Sequence, residues 1–243
     1  MRISVVGGTG LAGARVVEAL NAAGHEATPH SRSTGVDVAT GKGLDEALVG
    51  AEVVVDVTNS PTSDEASLAF FRAATDALLT AARKAAVRHV VALSIVGVDR
   101  VPELDYYRAK VLQEDVLKAG PLPYSIVRAT QFMEFVEDVL SWTADGDTVR
   151  LPATPIQPIA VADVAALVAE VAAGAPLNGT LDLAGPEVYP LDELGRIALA
   201  ARADARTVVT DDSAGLFAAV RGDALIAKDG ARIAPTHYRD WLS

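Results

Sequence analysis

Short apolar runs alternate with helical patterns along the first half of the chain. Each run has the length and composition of a buried strand, and between the runs apolar residues recur at the spacing of an amphipathic helix. This alternation predicts repeated βαβ units, a parallel sheet and right-handed crossovers. The predicted strands are Ile3–Val6, Glu26–His30, Val53–Val57, His89–Ile95 and Tyr124–Val127, and the predicted helices run from about Ala14 to Gly24, over Leu44–Leu48, from about Ser63 to Ala86 and over Asp105–Ala119.

The rhythm changes beyond Arg128, where short segments carrying proline and glycine separate the helical patterns. Asn178–Thr180 reads as a turn. We predict an α/β fold with a doubly wound, mostly parallel sheet, in which residues 1–130 form the core and residues 131–243 form a small substrate-side lobe on the same body. The helices predicted in that lobe lie near Glu134–Trp142, Val164–Ala172, Leu191–Ala203 and Ala214–Arg221.

A glycine cluster between the first strand and the first helix is the most informative motif. It fits two overlapping spacings: G-x-G-x-x-G begins at Gly8, and G-x-x-G-x-x-G begins at Gly7, both continuing through Gly10 and Gly13. Glycines let backbone amides approach a pyrophosphate, and the helix that follows points its positive dipole end at that charge. The alternative is a strand-turn-helix corner without a ligand. The dinucleotide site predicted here comprises Gly7, Thr9, Gly10, Leu11, Ala12 and Gly13.

Charge and composition narrow the class of protein. The 243 residues carry 21 Lys and Arg against 32 Asp and Glu, and the net charge of -11 disfavours binding to nucleic acid. The sequence shows neither a bilayer-spanning apolar stretch nor a signal peptide pattern, so we expect a cytoplasmic protein without a membrane partner. The chain has no cysteine, and its histidines lack the spacing of metal ligands, so we predict no metal.

The stretch after the second predicted strand bears on the choice of dinucleotide. Proteins that prefer NAD place a carboxylate there for the ribose 2'-hydroxyl, and this stretch has none. Arg32 suits a 2'-phosphate with its planar guanidinium, and Ser31 or Ser33 can donate a hydrogen bond. We therefore predict NADP(H) over NAD(H), with a solvated surface arginine as the alternative.

Two further pairs of residues are expected to contact the nucleotide. Asp37 and Val38 stand where a carboxylate could accept from the adenine amino group after the third strand of the sheet, although a surface-turn aspartate is an almost equal alternative. Thr58 and Asn59 follow a strand at its carboxyl end, the edge along which ligands lie in open α/β sheets.

Tyr106 and Lys110 are the candidate catalytic pair. They lie four residues apart at the start of a predicted helix, which puts the phenol and the ammonium on one face. A tyrosine donates a proton to a forming alkoxide more readily when a cation lowers its pKa, and Lys110 can also bind the nicotinamide ribose. Ser94, at the end of the preceding strand, could hold the substrate carbonyl. The alternatives are an exposed helix with a snorkelling lysine, and Tyr107 as the acid in place of Tyr106.

With these residues assembled, the chain resembles the atypical, NmrA-like NAD(P)H-binding branch of the short-chain dehydrogenase/reductase superfamily. Residues 7–13 look like the glycine fingerprint of that branch, Ser94 falls at its strand-end serine, and residues 106–110 match the Y-x-x-x-K of its active members. Two later segments are also similar: Tyr124–Phe132, which passes the nicotinamide in the family, and Gln157–Val164, which closes over the pocket. The resemblance implies a Rossmann fold with about seven strands and a small-molecule substrate.

The resemblance leaves several activities open, because the branch contains reductases, epimerases and non-catalytic redox sensors. We expect an NADPH-dependent oxidoreductase that reduces a small carbonyl, quinone or related compound, with a sensor or an epimerase as alternatives. Ala129 stands where the epimerases commonly have a proline, and this difference disfavours the epimerase hypothesis. Oligomeric state is left open, with a homodimer as one option. Five residues are read with equal weight as pocket or core, namely Phe132, Met133, Phe135, Trp142 and Phe217.

Overall fold

Parallel strands form the centre of the molecule in a computed structural model that describes residues 1–243. The strands are β1 (Arg2–Val6), β2 (Glu26–His30), β3 (Val53–Asp56), β4 (His89–Ile95), β5 (Tyr124–Ala129), β6 (Ala144–Asp145), β7 (Thr148–Leu151), β8 (Pro155–Ile156), β9 (Gly179–Ala184), β10 (Tyr189–Pro190), β11 (Thr207–Thr210) and β12 (Arg232–Ile233). The helices are α1 (Leu11–Ala22), α2 (Leu44–Ala47), α3 (Ala66–Lys84), α4 (Asp105–Ala119), α5 (Phe135–Trp142), α6 (Val161–Ala173), α7 (Leu191–Ala201) and α8 (Tyr238–Trp241).

The central sheet has seven strands in the order β12-β9-β5-β4-β3-β1-β2, and every pair is parallel. From β1 the chain goes first to β2 on one side and then to β3 on the other. The carboxyl ends of β1 and β3 therefore flank the point where the strand order reverses, which is where open α/β sheets bind ligands. The predicted doubly wound, mostly parallel sheet is confirmed.

Helices cover both faces of the sheet, because its strands are apolar on both sides. On one face α1 packs against α6 over a cluster that includes Val5, Val55 and Val91. On the other face α3 packs against α4 over a cluster that includes Val54 and Val90. A third cluster forms the lobe built mostly from residues beyond 131. No helix reaches the length and apolarity that crossing a bilayer requires.

The second half of the chain contributes to the sheet as well as to the lobe. The turn expected at Asn178–Thr180 is a single left-handed residue, Asn178 (φ 46°), from which β9 starts at once. Both β9 and β12 extend the sheet beyond β5, and α6 covers it. The central sheet therefore includes strands from both sides of the boundary predicted near residue 130.

The lobe also contains elements that the apolar pattern does not predict. Its two small sheets are β11-β7-β6 and β10-β8. The helix expected over Ala214–Arg221 is only a 3-10 turn, Leu216–Ala219. Met133 and Phe217 are buried in the core of the lobe, whereas Trp142 is exposed and packs edge-on against Phe135.

Candidate active site

The glycine cluster forms a tight loop between β1 and α1, and at most of its glycines the backbone of this protein leaves no room for a side chain. Gly7 has φ +82°, and an added Cβ would lie 2.7 Å from the Val57 carbonyl oxygen. At Gly13 a Cβ would lie 2.2 Å from the Gly7 carbonyl oxygen, and at Gly8 it would lie 2.6 Å from that of Val5. Gly10 differs, since its nearest neighbour would be 3.3 Å away. Three of these glycines are thus required by internal packing, whereas a Cβ at Gly10 would make a single tight contact.

The amino-terminal end of α1 is available to an anion. Gly10 is the residue that caps the helix; it offers no side chain to the amides of the first turn, and no acidic residue lies in that turn. Thr9, Gly10 and Leu11 are exposed beside these amides. Free amides at the positive end of a helix dipole attract phosphate, so this end of the helix fits a pyrophosphate.

The end of β2 is joined to the glycine loop. The amides of Gly7 and Gly8 both donate to the His30 carbonyl oxygen, at 2.8 and 3.2 Å. The next residues form a 3-10 turn, in which the hydroxyls of Ser31 and Ser33 lie 2.8 Å apart and Arg32 is exposed. The turn that carries these two hydroxyls and Arg32 therefore directly follows the strand end that is bonded to the glycine loop.

Asp37 has a different setting from the one expected. No third strand precedes it, because the chain from β2 to α2 forms turns, with a single bridge from Asp37 to Lys42. The Asp37 carboxylate accepts from the Ala39 amide at 3.0 Å, the pattern of a short aspartate turn. The placement of Asp37 and Val38 after a strand is wrong for this chain, and their contact with adenine stays a prediction.

The loop after β3 is shaped by a buried carboxylate. Asp56 accepts from both the amide (3.0 Å) and the hydroxyl (2.7 Å) of Thr58. Asn59 follows, and its side-chain oxygen accepts a hydrogen bond from the Tyr106 hydroxyl at 2.6 Å. Of the predicted contact residues, Thr58 lies beside the glycine loop, with its amide 2.9 Å from a Cβ added at Gly7, and Asn59 touches the predicted catalytic tyrosine.

Tyr106 lies in the first turn of α4, with its ring edge-on to Phe71 of α3. Burial of the hydroxyl raises the pKa of Tyr106 well above its ordinary value, and the neighbouring Tyr107 acts in the same direction. The expected lowering of the Tyr106 pKa by Lys110 is absent from this arrangement. Tyr107 is buried in the core of the lobe, and burial raises its pKa to about 12.

Lys110 points inward, although it stands one turn beyond Tyr106. Its side chain is 3% exposed, and its ammonium donates to the Leu93 carbonyl oxygen at 2.7 Å and to the side-chain oxygen of Gln113. The Nζ atom also lies 4.8 Å from the centre of the Phe71 ring. Burial lowers the pKa of Lys110 to about 8, and the negative charges of Asp56 and Glu114 oppose that change.

Ser94 is also turned toward the interior. It is 4% exposed, and its hydroxyl donates to Glu114 at 2.6 Å. Glu114 in turn accepts both Nε and Nη2 of Arg128, at 2.8 and 2.7 Å, and the ammonium of Lys118 at 3.0 Å. The role of Ser94 as a carbonyl-binding group stays a prediction. In this structure the hydroxyl completes a buried ion-pair cluster that joins β4, α4 and β5.

Sequence comparison agrees with this geometry. Residues 7–174 match a model of the family described as NAD(P)H-binding, which is more than half of the chain. The chain belongs to the NAD(P)H-binding family. A search of curated proteins finds no match. The segment matched runs from the first glycine of the loop through α6 and includes Tyr106 and Lys110.

Solved structures share the fold of this NAD(P)H-binding protein at low identity. UDP-N-acetylglucosamine 4-epimerase from Bacillus cereus superposes with a TM-score of 0.74 at 16% identity, over 100% of this chain and 95% of that one. NADPH-dependent quinone oxidoreductase from Escherichia coli, complexed with NADPH, gives 0.71 at 20%, over 99% and 86%. Triphenylmethane reductase from Citrobacter sp., complexed with NADP(H), gives 0.67 at 18%, over 87% and 79%. These likenesses confirm the predicted Rossmann fold.

Sequence reasoning missed three polar residues that support the site. Asp56 is the last residue of β3, and Gln113 and Glu114 lie one turn beyond Lys110 on α4; all three are buried. The available signal was polarity at positions that the apolar pattern assigns to the interior, because buried polar groups are hydrogen-bonded in folded proteins.

Proposed function

We propose that this NAD(P)H-binding protein is an NADPH-dependent oxidoreductase that reduces a small carbonyl, quinone or related compound. The observation that carries the proposal is the hydrogen bond between Tyr106 and Asn59. It sets a protonated phenol against the loop after β3, at the same sheet edge as an amino-terminal helix end suited to a pyrophosphate. A proton donor and a dinucleotide cradle at one edge are what a hydride-transferring reductase needs.

The residues of the glycine loop fit the cofactor. The amides that begin α1 lack any capping side chain, and Gly10 adds no Cβ beside them. Gly7, Thr9, Gly10, Leu11, Ala12 and Gly13 would surround the pyrophosphate, and Thr58 and Asn59 would lie along the nucleotide. A bound reduced nicotinamide supplies the hydride in this chemistry.

Preference for NADPH is supported by the turn after β2. Arg32 is exposed and forms no ion pair, and the Ser31 and Ser33 hydroxyls lie beside it. No carboxylate lies between Pro29 and Val36 to accept from a ribose 2'-hydroxyl. A guanidinium and hydroxyls in this position favour a 2'-phosphate.

Tyr106 is proposed as the proton donor. The Tyr106 phenol is protonated at neutral pH, which is the form a donor needs, and burial makes it a weaker acid than a free tyrosine. Asn59 orients that hydroxyl by accepting from it. We propose that Lys110 supports the reaction from its buried position, and that Ser94 acts through its hydrogen bond to Glu114 on α4.

The proposal is tested with Tyr106→Phe, matched by Tyr107→Phe on the same helix. NADPH and NADH affinities are measured by calorimetry, and turnover is followed with a panel of quinones and aldehydes. We expect Tyr106→Phe to reduce turnover at least 100-fold with NADPH affinity retained, since a positioned acid contributes about 10²–10⁴-fold. Absence of dinucleotide binding would refute the proposal, and binding without turnover by the wild-type protein would favour the redox-sensor alternative.

A further inference from the structure

A series of buried, hydrogen-bonded side chains connects the loop after β3 to Lys110. Asp56 and Gln113 are 4% and 2% exposed, and no water-exposed group separates them. The side-chain nitrogen of Gln113 donates to Asp56 Oδ2 at 2.9 Å, and its oxygen accepts from the ammonium of Lys110. The other oxygen of Asp56 holds Thr58. The order Thr58, Asp56, Gln113, Lys110 is therefore a continuous series of hydrogen bonds.

We infer that Gln113 is a positioning residue that relays the negative charge of Asp56 to Lys110 and so sets both the place and the protonation of that ammonium. The polarity of the amide fixes its orientation, because a carboxylate only accepts and an ammonium only donates. A Gln113 flipped end for end would oppose donor to donor and acceptor to acceptor at both contacts. The relay thus has one favourable arrangement.

The relay matters because Lys110 is buried. Burial disfavours its charged form, and this loss of hydration is offset by nearby negative charges and by groups that accept from the ammonium. The surrounding groups are few: Asp56 at the end of β3, the Leu93 carbonyl of β4, the Phe71 ring of α3, and Glu114 on α4. Glu114 is already shared by Ser94, Arg128 and Lys118. Asp56, which bonds only to Thr58 and Gln113, is the stronger of the two carboxylates that act on Lys110 and the one joined to it through Gln113.

Direct measurement of the Lys110 amine tests the inference. The protein is labelled with isotopes in its lysine side chains and titrated by NMR, with Lys110→Met to assign the resonance. Asp56→Asn removes the charge, and Gln113→Met removes the bridge; both should lower the pKa of Lys110 by about one unit. Gln113→Glu places a carboxylate in contact with both the ammonium and Asp56; once both carboxylates are ionised, it should raise the pKa of Lys110 by a similar amount. Opposite shifts from two near-isosteric changes at one position are the expected signature.

Asp115→Asn is the matched control, because it removes the same charge from an exposed position on the same helix. It should leave the pKa of Lys110 within about 0.3 unit of the wild-type value. An unchanged Lys110 pKa in any folded variant of Asp56 or Gln113, or an equal shift in Asp115→Asn, would overturn the inference. If all three variants of Asp56 and Gln113 failed to fold, this series of hydrogen bonds would have a structural role, and the inference would also be overturned.

The consequence for catalysis rests on the proposed function, whereas the relay itself does not. If the reaction needs the ammonium, the rate falls as pH rises through the pKa of Lys110. The alkaline limb of the pH profile should then move to lower pH in Gln113→Met and to higher pH in Gln113→Glu. A wild-type protein that binds no dinucleotide would refute the proposed function and leave the NMR result standing. Altered pKa values with an unmoved pH profile would remove only the catalytic role.

Discussion

Replacing Gly10 and Gly13 separately by alanine distinguishes a glycine that serves a ligand from one that serves the fold. Gly10 has φ -79° and ψ 178°, a conformation open to alanine, and the new Cβ would meet only the Gly7 carbonyl oxygen at 3.3 Å. Alanine gains about 0.4–1 kcal/mol by restricting the unfolded chain and loses a similar amount as a poorer helix cap. The free energy of unfolding should therefore change by less than about 1 kcal/mol.

Gly13→Ala has no such freedom. Its Cβ would lie 2.2 Å from the Gly7 carbonyl oxygen and 2.7 Å from the Gly8 Cα, and both are backbone atoms that cannot rotate away. Forced overpacking of this kind costs about 1–3 kcal/mol, and backbone on both sides favours the upper end. For a domain of this size, about 3 kcal/mol corresponds to a fall in Tm of roughly 6–12 °C.

Calorimetry measures both quantities on the same samples. Gly10→Ala should unfold near the wild-type temperature yet bind NADPH at least 10-fold more weakly, a loss of about 1.4 kcal/mol, because its methyl group occupies the approach to the helix amides. Wild-type affinity in Gly10→Ala would refute the assignment of this loop to the pyrophosphate. A loss of stability in Gly10→Ala equal to that in Gly13→Ala would refute the packing argument.

Two further predictions concern charged residues. Arg32→Ala should weaken NADPH binding about 10-fold and leave NADH binding unchanged by calorimetry, because only the 2'-phosphate would use the guanidinium; equal losses for both coenzymes would contradict it. Glu114→Gln leaves the largely buried Arg128 with Asp99 as its remaining carboxylate and should cost about 3 kcal/mol in urea unfolding, against less than about 0.5 kcal/mol for Glu18→Gln in the exposed pair with Arg15. Burial alone would raise the pKa of Glu114, but Arg128, Ser94 and Lys118 hold it below its ordinary value. Glu114 therefore stabilises the fold above the ordinary glutamate pKa, and this stabilisation is lost as pH falls through its lowered pKa. The urea midpoints of the wild-type protein and of Glu114→Gln should therefore converge in acid.

The fold of the first half could be predicted closely from its sequence. The bounds expected for the strand His89–Ile95 and the helix Asp105–Ala119 are those of β4 and α4. Both succeed because local pattern and tertiary burial agree: β4 is apolar along nearly its whole length, and Gly120 caps the end of α4. Doubly wound sheets are built from such consistent units, so their order follows from alternation alone.

The second half could be predicted less well, since its strands are short and depend on partners far along the chain. β6, β8, β10 and β12 have two residues each, too few to show a period of two. In β9, the chain enters the sheet directly from a left-handed asparagine, so a local turn signal concealed a strand. These elements are specified by pairing rather than by local propensity.

The candidate site divides along the same line. Spacing on one helix brought Tyr106 and Lys110 together, but it could not predict that one side chain reaches the surface loop and the other turns inward. Four residues make slightly more than one turn of an α-helix, so the Cβ atoms of Tyr106 and Lys110 do share a face. The difference arises beyond Cβ, where the long lysine stem reaches the carbonyl of Leu93 and the amide of Gln113. Whether Lys110 supports chemistry is therefore decided by tertiary partners, and a Y-x-x-x-K spacing alone does not distinguish a reductase from a protein that only senses its dinucleotide.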